Sequence, residues 1–247
     1  VISDLKAAQH QVHSQIEFAK VGHSTDALAD NKLMLLEGWI PSERLPEMTE
    51  YLRTQEVYYE TAAPTPEDDV PILLENKGFF RLFEPIMRLY MLPKYNELDL
   101  TPFFAPFFML FFGLCLGDSG YGLFMLLAVT LYRLFAKKMS ASMKPILTLV
   151  QILGASTMVF GLLPGTCFGF NLYDILGPFF PKLKETISLD NQQMFNFSMI
   201  LGGEQIIFGM ILKAVNTTIL FGVKYAIATC GWILILVSTA VAFAAPG

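Results

Sequence analysis

The sequence predicts an α-helical multi-pass membrane domain of about five spans, preceded by a cytoplasmic α/β lobe. Three observations carry this. The 247 residues are 53% hydrophobic, with a mean hydropathy of +0.48, high for a chain that meets only water. Charge is divided: residues 1–100 hold seventeen acids and nine bases, a net of −8, and residues 101–247 hold five acids and eight bases, a net of +3. Five apolar runs fall in that second, sparsely charged part. The balance is that of a water-compatible portion followed by a membrane portion, and nothing in it calls for nucleic acid.

The elements follow in order. Residues 1–24 space Ile2, Leu5, Ala8, Val12, Ile16 and Ala19 by three and four, a helical seam. His10, His13 and Glu17 share one side of that helix. With no fourth ligand nearby they read as a solvated face, and no metal site is expected. A small α/β lobe over 32–75 comes next. "KLMLLEGWIP" (32–41) reads as a strand, "SERLPEMTEYLRTQ" as a helix capped by Ser42, and "EVYYETAAP" (56–64) as a second strand, together a βαβ-like unit. "PTPEDDVP" is a polar loop. Residues 79–98 mix bases with Phe83, Ile86, Met87, Leu89, Tyr90 and Met91. Such an amphipathic pre-membrane segment lies along the bilayer surface or packs on the lobe. The cytoplasmic domain is thus 1–98 and the transmembrane domain 99–247.

A helix needs about twenty residues to cross a bilayer. The expected spans are 100–117, 121–136, 145–164, 194–212 and 225–245. Arg133, Lys137, Lys138 and Lys144 join the second to the third, and Lys213 and Lys224 the fourth to the fifth, with no acid in either loop. Both loops therefore belong in the cytoplasm, with 1–98, and 165–193 lies opposite. Cys115, Cys167 and Cys230 have no CxxC spacing and read as small buried hydrophobes.

"GDSGYG" interrupts the first two runs. Gly117, Asp118, Gly120, Tyr121 and Gly122 are expected to form a tight hairpin turn. A left-handed φ is expected at Gly120 or Gly122, and Asp118 is expected to bond the freed N–H groups. Asp118 as an ion ligand is the weaker alternative, since no second carboxylate lies close in sequence. In the fourth run Ser198, Gly202, Gln205, Gly209 and Asn216 fall on one helical face, a small and polar packing stripe. Glu204, the only acid inside a span, lies about 120° away. It reads either as part of an ion pathway or as a neutral, hydrogen-bonded carboxyl. "GTCFG" (165–169) is expected to be a re-entrant or capping turn. The acceptor patterns "NFS" and "NTT" are discounted, the second because it falls in an assigned cytoplasmic loop.

"EGWIP", then "LFEPIMRLYMLPKYNELDLTPFFAPFFMLFFGLCLGDSGYG", then "FGLLPGTCFG" together resemble the large membrane subunit of rotary V-type ATPases, subunit a or subunit I. The resemblance covers roughly 33–220, with Leu100 where the family usually has Pro and Cys115 where it often has Met. It implies that 1–24 end a coiled-coil arm. It implies a stator that grips the peripheral stalk E/G-type subunits and stands in the lipid membrane beside the proteolipid ring, among other subunits of the complex, scaffolding proton or other ion transport. The family's ring-facing arginine lies on later helices, and no Arg follows Arg133. The chain is therefore expected to be an internal fragment. With no GxxxxGK[ST] loop, no hydrolysis and no cofactor are expected. A stand-alone secondary transporter or channel, or a membrane-anchored adaptor, remain the other readings.

Overall fold

A computed structural model describes residues 8–9, 11–16, 19–20, 26–28, 33–65, 68–136, 138–140, 142–179 and 187–244. The chain divides into two compact units, Val1–Pro71 and Ile72–Gly247.

In the first unit, the described residues between 8 and 20 are helical, with Val12 and Ile16 of the seam exposed. Strand β1 (Asp26–Leu28) pairs antiparallel with β2 (Leu33–Leu35), Asp26 opposite Leu35. This corrects the expected βαβ unit. The strand expected over 32–41 shrinks to three residues, and its partner precedes it. Residues 56–64 form no strand, and Val57 and Tyr58 are exposed. Among the described residues no strand pairs with them, and propensity without pairing does not make a strand. A 3-10 turn (Ser42–Arg44) leads into α1 (Leu45–Arg53). Ser42 makes no capping bond, and Arg44 occupies the N-cap position. Pro46, in the first turn, needs no N–H partner there.

The second unit is built from helices. A 3-10 turn (Phe80–Phe83) and α2 (Glu84–Tyr90) precede α3 (Thr101–Leu116), α4 (Ser119–Phe135) and α5 (Met143–Leu162). Phe83 is fully buried against Ala105, Leu149 and Leu153, so the pre-membrane segment docks on α3 and α5. Its other side, Leu89, Tyr90 and Met91, is exposed. A polar collar ties this segment to the start of α3. The Asp99 carboxylate accepts from the Thr101 N–H (2.9 Å), the Thr101 hydroxyl (2.6 Å) and the Asn76 side-chain amide (2.7 Å). Nearby, the Leu98 N–H donates to Asn216 Oδ1 at 3.0 Å.

Helices α4 and α5 run antiparallel in close register, through small residues. A Cβ on Gly122 would strike the backbone of Met158, and one on Gly161 the backbone of Asp118 and Ser119. Gly113 of α3 approaches Ser156 as closely, and the Ser156 hydroxyl donates to Met109 O at 2.7 Å. With no Cβ in the way, dispersion contacts and backbone-directed hydrogen bonds replace the missing hydrophobic drive between helices in lipid.

After a two-residue hairpin, β3 (Thr166–Cys167) with β4 (Phe170–Asn171), come α6 (Leu172–Leu176), α7 (Asn191–Phe221) and α8 (Val223–Ala244). Asp190 and Gln193 form a reciprocal capping box at the start of α7. Helix α7 packs its Phe208 ring on Phe103 and Phe107, and its Phe197 ring near Phe160. The loop expected over 213–224 is absent, because α7 runs on for 31 residues to a single break at Gly222 (φ 95°). "NTT" lies inside that helix. Cys115 and Cys230 are exposed and Cys167 half-buried, correcting the buried reading. On helices this apolar the outer face is as greasy as the inner one.

Among the described residues three helices, α5, α7 and α8, are long and apolar enough to cross a membrane. Helices α3 and α4 have 16 and 17 residues, about 24–26 Å at 1.5 Å per residue, short of a hydrocarbon core of about 30 Å. They pass only as a pair bent by 120°, a broken span or a re-entrant loop.

The two glycine sets separate in a stability measurement. Gly122→Leu should destabilise the detergent-solubilised chain by about 1–3 kcal/mol through overpacking. Gly209→Ala, where a Cβ meets nothing within 4 Å, should stabilise it by about 0.5–1 kcal/mol through helix propensity. Thermal unfolding of both variants reads the contrast, and equal effects would contradict the packing described.

Candidate functional site

The corner between α3 and α4 is made by two residues. Gly117, left-handed at φ 49°, ends α3, its N–H bonding Gly113 O at 2.8 Å. Asp118, extended, caps α4: its Oδ1 accepts from the N–H groups of Gly120 (2.8 Å) and Tyr121 (3.1 Å). The left-handed residue is therefore Gly117, rather than Gly120 or Gly122, both of which lie inside α4. Their lack of a side chain answers to proximity: a Cβ on Gly120 would enter the Phe168 ring.

The same carboxylate reaches a second element, fifty residues on. Phe168 (φ 50°) and Gly169 (φ 79°) form the turn of the β3–β4 hairpin. Two left-handed residues in succession are what a type I′ hairpin turn requires. The Phe168 N–H donates to Asp118 Oδ1 (2.9 Å) and the Gly169 N–H to Oδ2 (3.0 Å). Left-handed backbone at a non-glycine costs about 1–2 kcal/mol, so Phe168 must be held. The bond to Asp118 does this, together with an edge contact between the Phe168 and Tyr121 rings, 5.2 Å between centroids. Ser119 Oγ donates to Thr166 O at 2.5 Å, and Thr166 Oγ1 donates to Gly117 O. Beneath the corner, Gly161 lets α5 touch the Asp118 backbone.

Tyr173 closes the far side. Its ring lies over Gly165 and its hydroxyl donates to Leu162 O, while burial pushes the phenol up from its ordinary range and keeps it a donor. Asp118 itself is buried, and its two oxygens take four backbone N–H groups. A carboxylate offers about four lone-pair positions. The geometry is that of backbone amides cradling an anion, with the chain's own carboxylate as the anion.

The other singled-out residues lie elsewhere. Glu204 is on the α7 face that carries Phe197, Leu201 and Phe208, yet is exposed, with no hydrogen bond among the described residues. Ser198 bonds Met194 O within its own helix at 2.8 Å, and Gly202 and Gly209 face open space. Among the described residues, the two glycines of the Ser198, Gly202, Gln205, Gly209 stripe have nothing packed on them, and Asn216 is used by Leu98 instead. Of His10, His13 and Glu17, only His13 is among the described residues. Sequence reasoning missed the β3–β4 partner of Asp118 and the collar at Asp99. The left-handed glycines of "GTCFG" and the "DLTP" helix start were the available signals.

Apolar helices of spanning length, packed around a hydrogen-bonded corner, define an integral membrane protein of the helical class. The model of the V-type ATPase 116kDa subunit family matches residues 4–159, a stretch that includes the corner and most of α5, and the chain belongs to that family. It is 30% identical over 160 residues to an A-type ATP synthase subunit I of Methanocaldococcus jannaschii, covering 63% of this chain and 23% of that one. It is 29% identical over 147 residues to a V-type ATP synthase subunit I of Chlamydia pneumoniae (58% and 22%). Against an A-type ATP synthase subunit I of Archaeoglobus fulgidus it is 27% identical over 254 residues (93% and 36%). The chain thus spans between 22% and 36% of the length of these relatives.

Asp118→Ala leaves four N–H groups without their acceptor. It should destabilise the chain by about 2–4 kcal/mol, since bonds to a charged group contribute about 1.5–3 kcal/mol each and do not add fully. Chymotrypsin should then cut at Phe168 well before global unfolding. Unchanged stability and unchanged protection of Phe168 would show the carboxylate to be dispensable.

Proposed function

We propose that this chain supplies the scaffold portion of the stator membrane subunit of a rotary V- or A-type ATPase. In this reading all five apolar helices lie in the bilayer beside a proteolipid ring. Residues 1–98 and the 133–144 loop face the cytoplasm, where the lobe and arm anchor peripheral stalk E/G-type subunits, and 165–193 lie opposite. The chain hydrolyses nothing itself and serves ion transport by holding the path in place. Family membership is the observation that carries this, and the way α3–α5 are packed supports it. A stator must resist the torque of its rotor, and helices joined backbone to backbone have little freedom to shear. The starts of α3 and α5 and the end of α4 lie at the end opposite the corner, as an orientation with both 1–98 and 133–144 in the cytoplasm requires.

Two features of α7 take roles in the same reading. The open stripe of Ser198, Gly202, Gln205 and Gly209 receives a helix from outside this chain, because small residues permit close approach in lipid. Glu204 lies on an ion-access route, since a carboxylate on a membrane helix is costly unless it is used or partnered. Purifying the assembled ATPase through a tag on the ring tests both. Gly209→Leu should lower the amount of this subunit retained. Glu204→Gln should leave assembly intact and reduce ATP-driven ion uptake into vesicles. Full retention and full pumping in both variants would contradict the reading.

A further inference from the structure

At the end of the unit away from the corner, α4 and α5 carry cations with no paired acid among the described residues. Arg133, half-buried, donates from Nη1 to Gln151 Oε1 (2.6 Å) and from Nη2 to Thr148 Oγ1 (2.6 Å) and Lys144 O (3.2 Å). Gln151 is itself fixed by donating to Thr130 Oγ1 at 2.9 Å. All of Arg133's acceptors are neutral. A guanidinium has five N–H donors, so two remain. Lys138, on the α4–α5 connection, and Lys144, in the first turn of α5, are exposed. From Ser119 to Tyr173 the sequence contains no acid. Glu84, at the start of α2, accepts from the Asn76 N–H, and Asp99, just before α3, accepts from Asn76 and Thr101; neither pairs with Arg133.

The placement worsens the imbalance. Arg133 touches the first turn of α5, the positive end of that helix dipole, where a cation is disfavoured and an anion favoured. Ser142, in the N-cap position, makes no side-chain bond to the open N–H groups. Apolar residues flank the cations outward: Leu134 and Phe135 are 74% and 79% exposed, and Ile146 is exposed beside them. Exposed and half-buried cations with exposed hydrophobics on the same two helices match a ligand with a phosphate at one end and acyl chains at the other.

We propose that Arg133, Lys138 and Lys144 form a binding site for the phosphate of an anionic lipid headgroup, with its chains along α4 and α5. Arg133 is the oriented donor, locked by Gln151 and Thr148, and the lysines supply attraction from the rim. The proposal rests on this end of α4 and α5 lying at a membrane surface. It requires no particular role in the ATPase.

The test is native mass spectrometry of the full chain in neutral detergent, offered equal phosphatidylglycerol and phosphatidylcholine. Phosphatidylglycerol should be retained preferentially. The preference should fall about fivefold for each charge removed in K138Q/K144Q, which leaves every Arg133 bond in place. R133K, which keeps the charge and loses the fork, should also weaken it. Equal retention of the two lipids by the unaltered chain, or an unchanged preference in K138Q/K144Q, would overturn the site. Inorganic phosphate displacing phosphatidylglycerol at equal concentration would overturn its assignment to lipid. Labelling of Ser140→Cys by a membrane-impermeant maleimide in sealed vesicles reports separately whether this end reaches a membrane surface.

Discussion

Everything on one side of this membrane unit depends on a single carboxylate. Asp118 accepts two N–H groups from the helix it caps and two from a hairpin turn fifty residues away. The first pair lets α4 begin with only Gly117 and Asp118 between it and the end of α3. The second pins the connection that follows α5 against that start. Without the first pair the turn would expose unbonded backbone in apolar surroundings, where each such group costs several kcal/mol. Without the second, Phe168 would keep only its ring contact with Tyr121 to hold it in a left-handed conformation. Hydrogen bonding to a fixed charge does in lipid what burial does in water, because lipid offers no competing donors.

Glycine completes the arrangement. The corner is usable only because Gly161 admits the backbone of Asp118 and Ser119, and α4 and α5 meet only because Gly122 admits Met158. These contacts place Arg133 against the first turn of α5 at the other end. The corner and the cationic cluster are thus two ends of one antiparallel helix pair. By contrast α7 and α8 bury little of themselves. Gly202 and Gly209 of α7 face open space and Glu204 is exposed.

The apolar runs were legible because a helix in lipid must be apolar over its length, and hydropathy reports that directly. Where helices stop was less legible. Lys213 and Lys224 looked like loop residues, yet a lysine can extend its amine to water from within a helix, and only Gly222 breaks the backbone. The role of Asp118 was half legible. Capping is local, and "GDSGYG" announces it, whereas the hairpin turn it also holds is fifty residues distant and leaves no periodic trace. The glycines were assigned to conformation when most answer to proximity, which needs the facing helix to be known. Residues 56–64 show the same limit in the lobe: Val57, Tyr58 and Tyr59 favour a strand, and among the described residues none pairs with them.

The account stands or falls on whether the hairpin turn is bonded to the corner. Residue-resolved hydrogen exchange of the amides of Phe168 and Gly169, in the intact chain in detergent, measures this directly. Those two amides should exchange as slowly as Gly120 and Tyr121, although they belong to a two-residue turn, because all four share one acceptor. Exchange of Phe168 and Gly169 at the rate of an open loop, with Gly120 and Tyr121 still protected, would contradict it and reduce Asp118 to an ordinary helix cap.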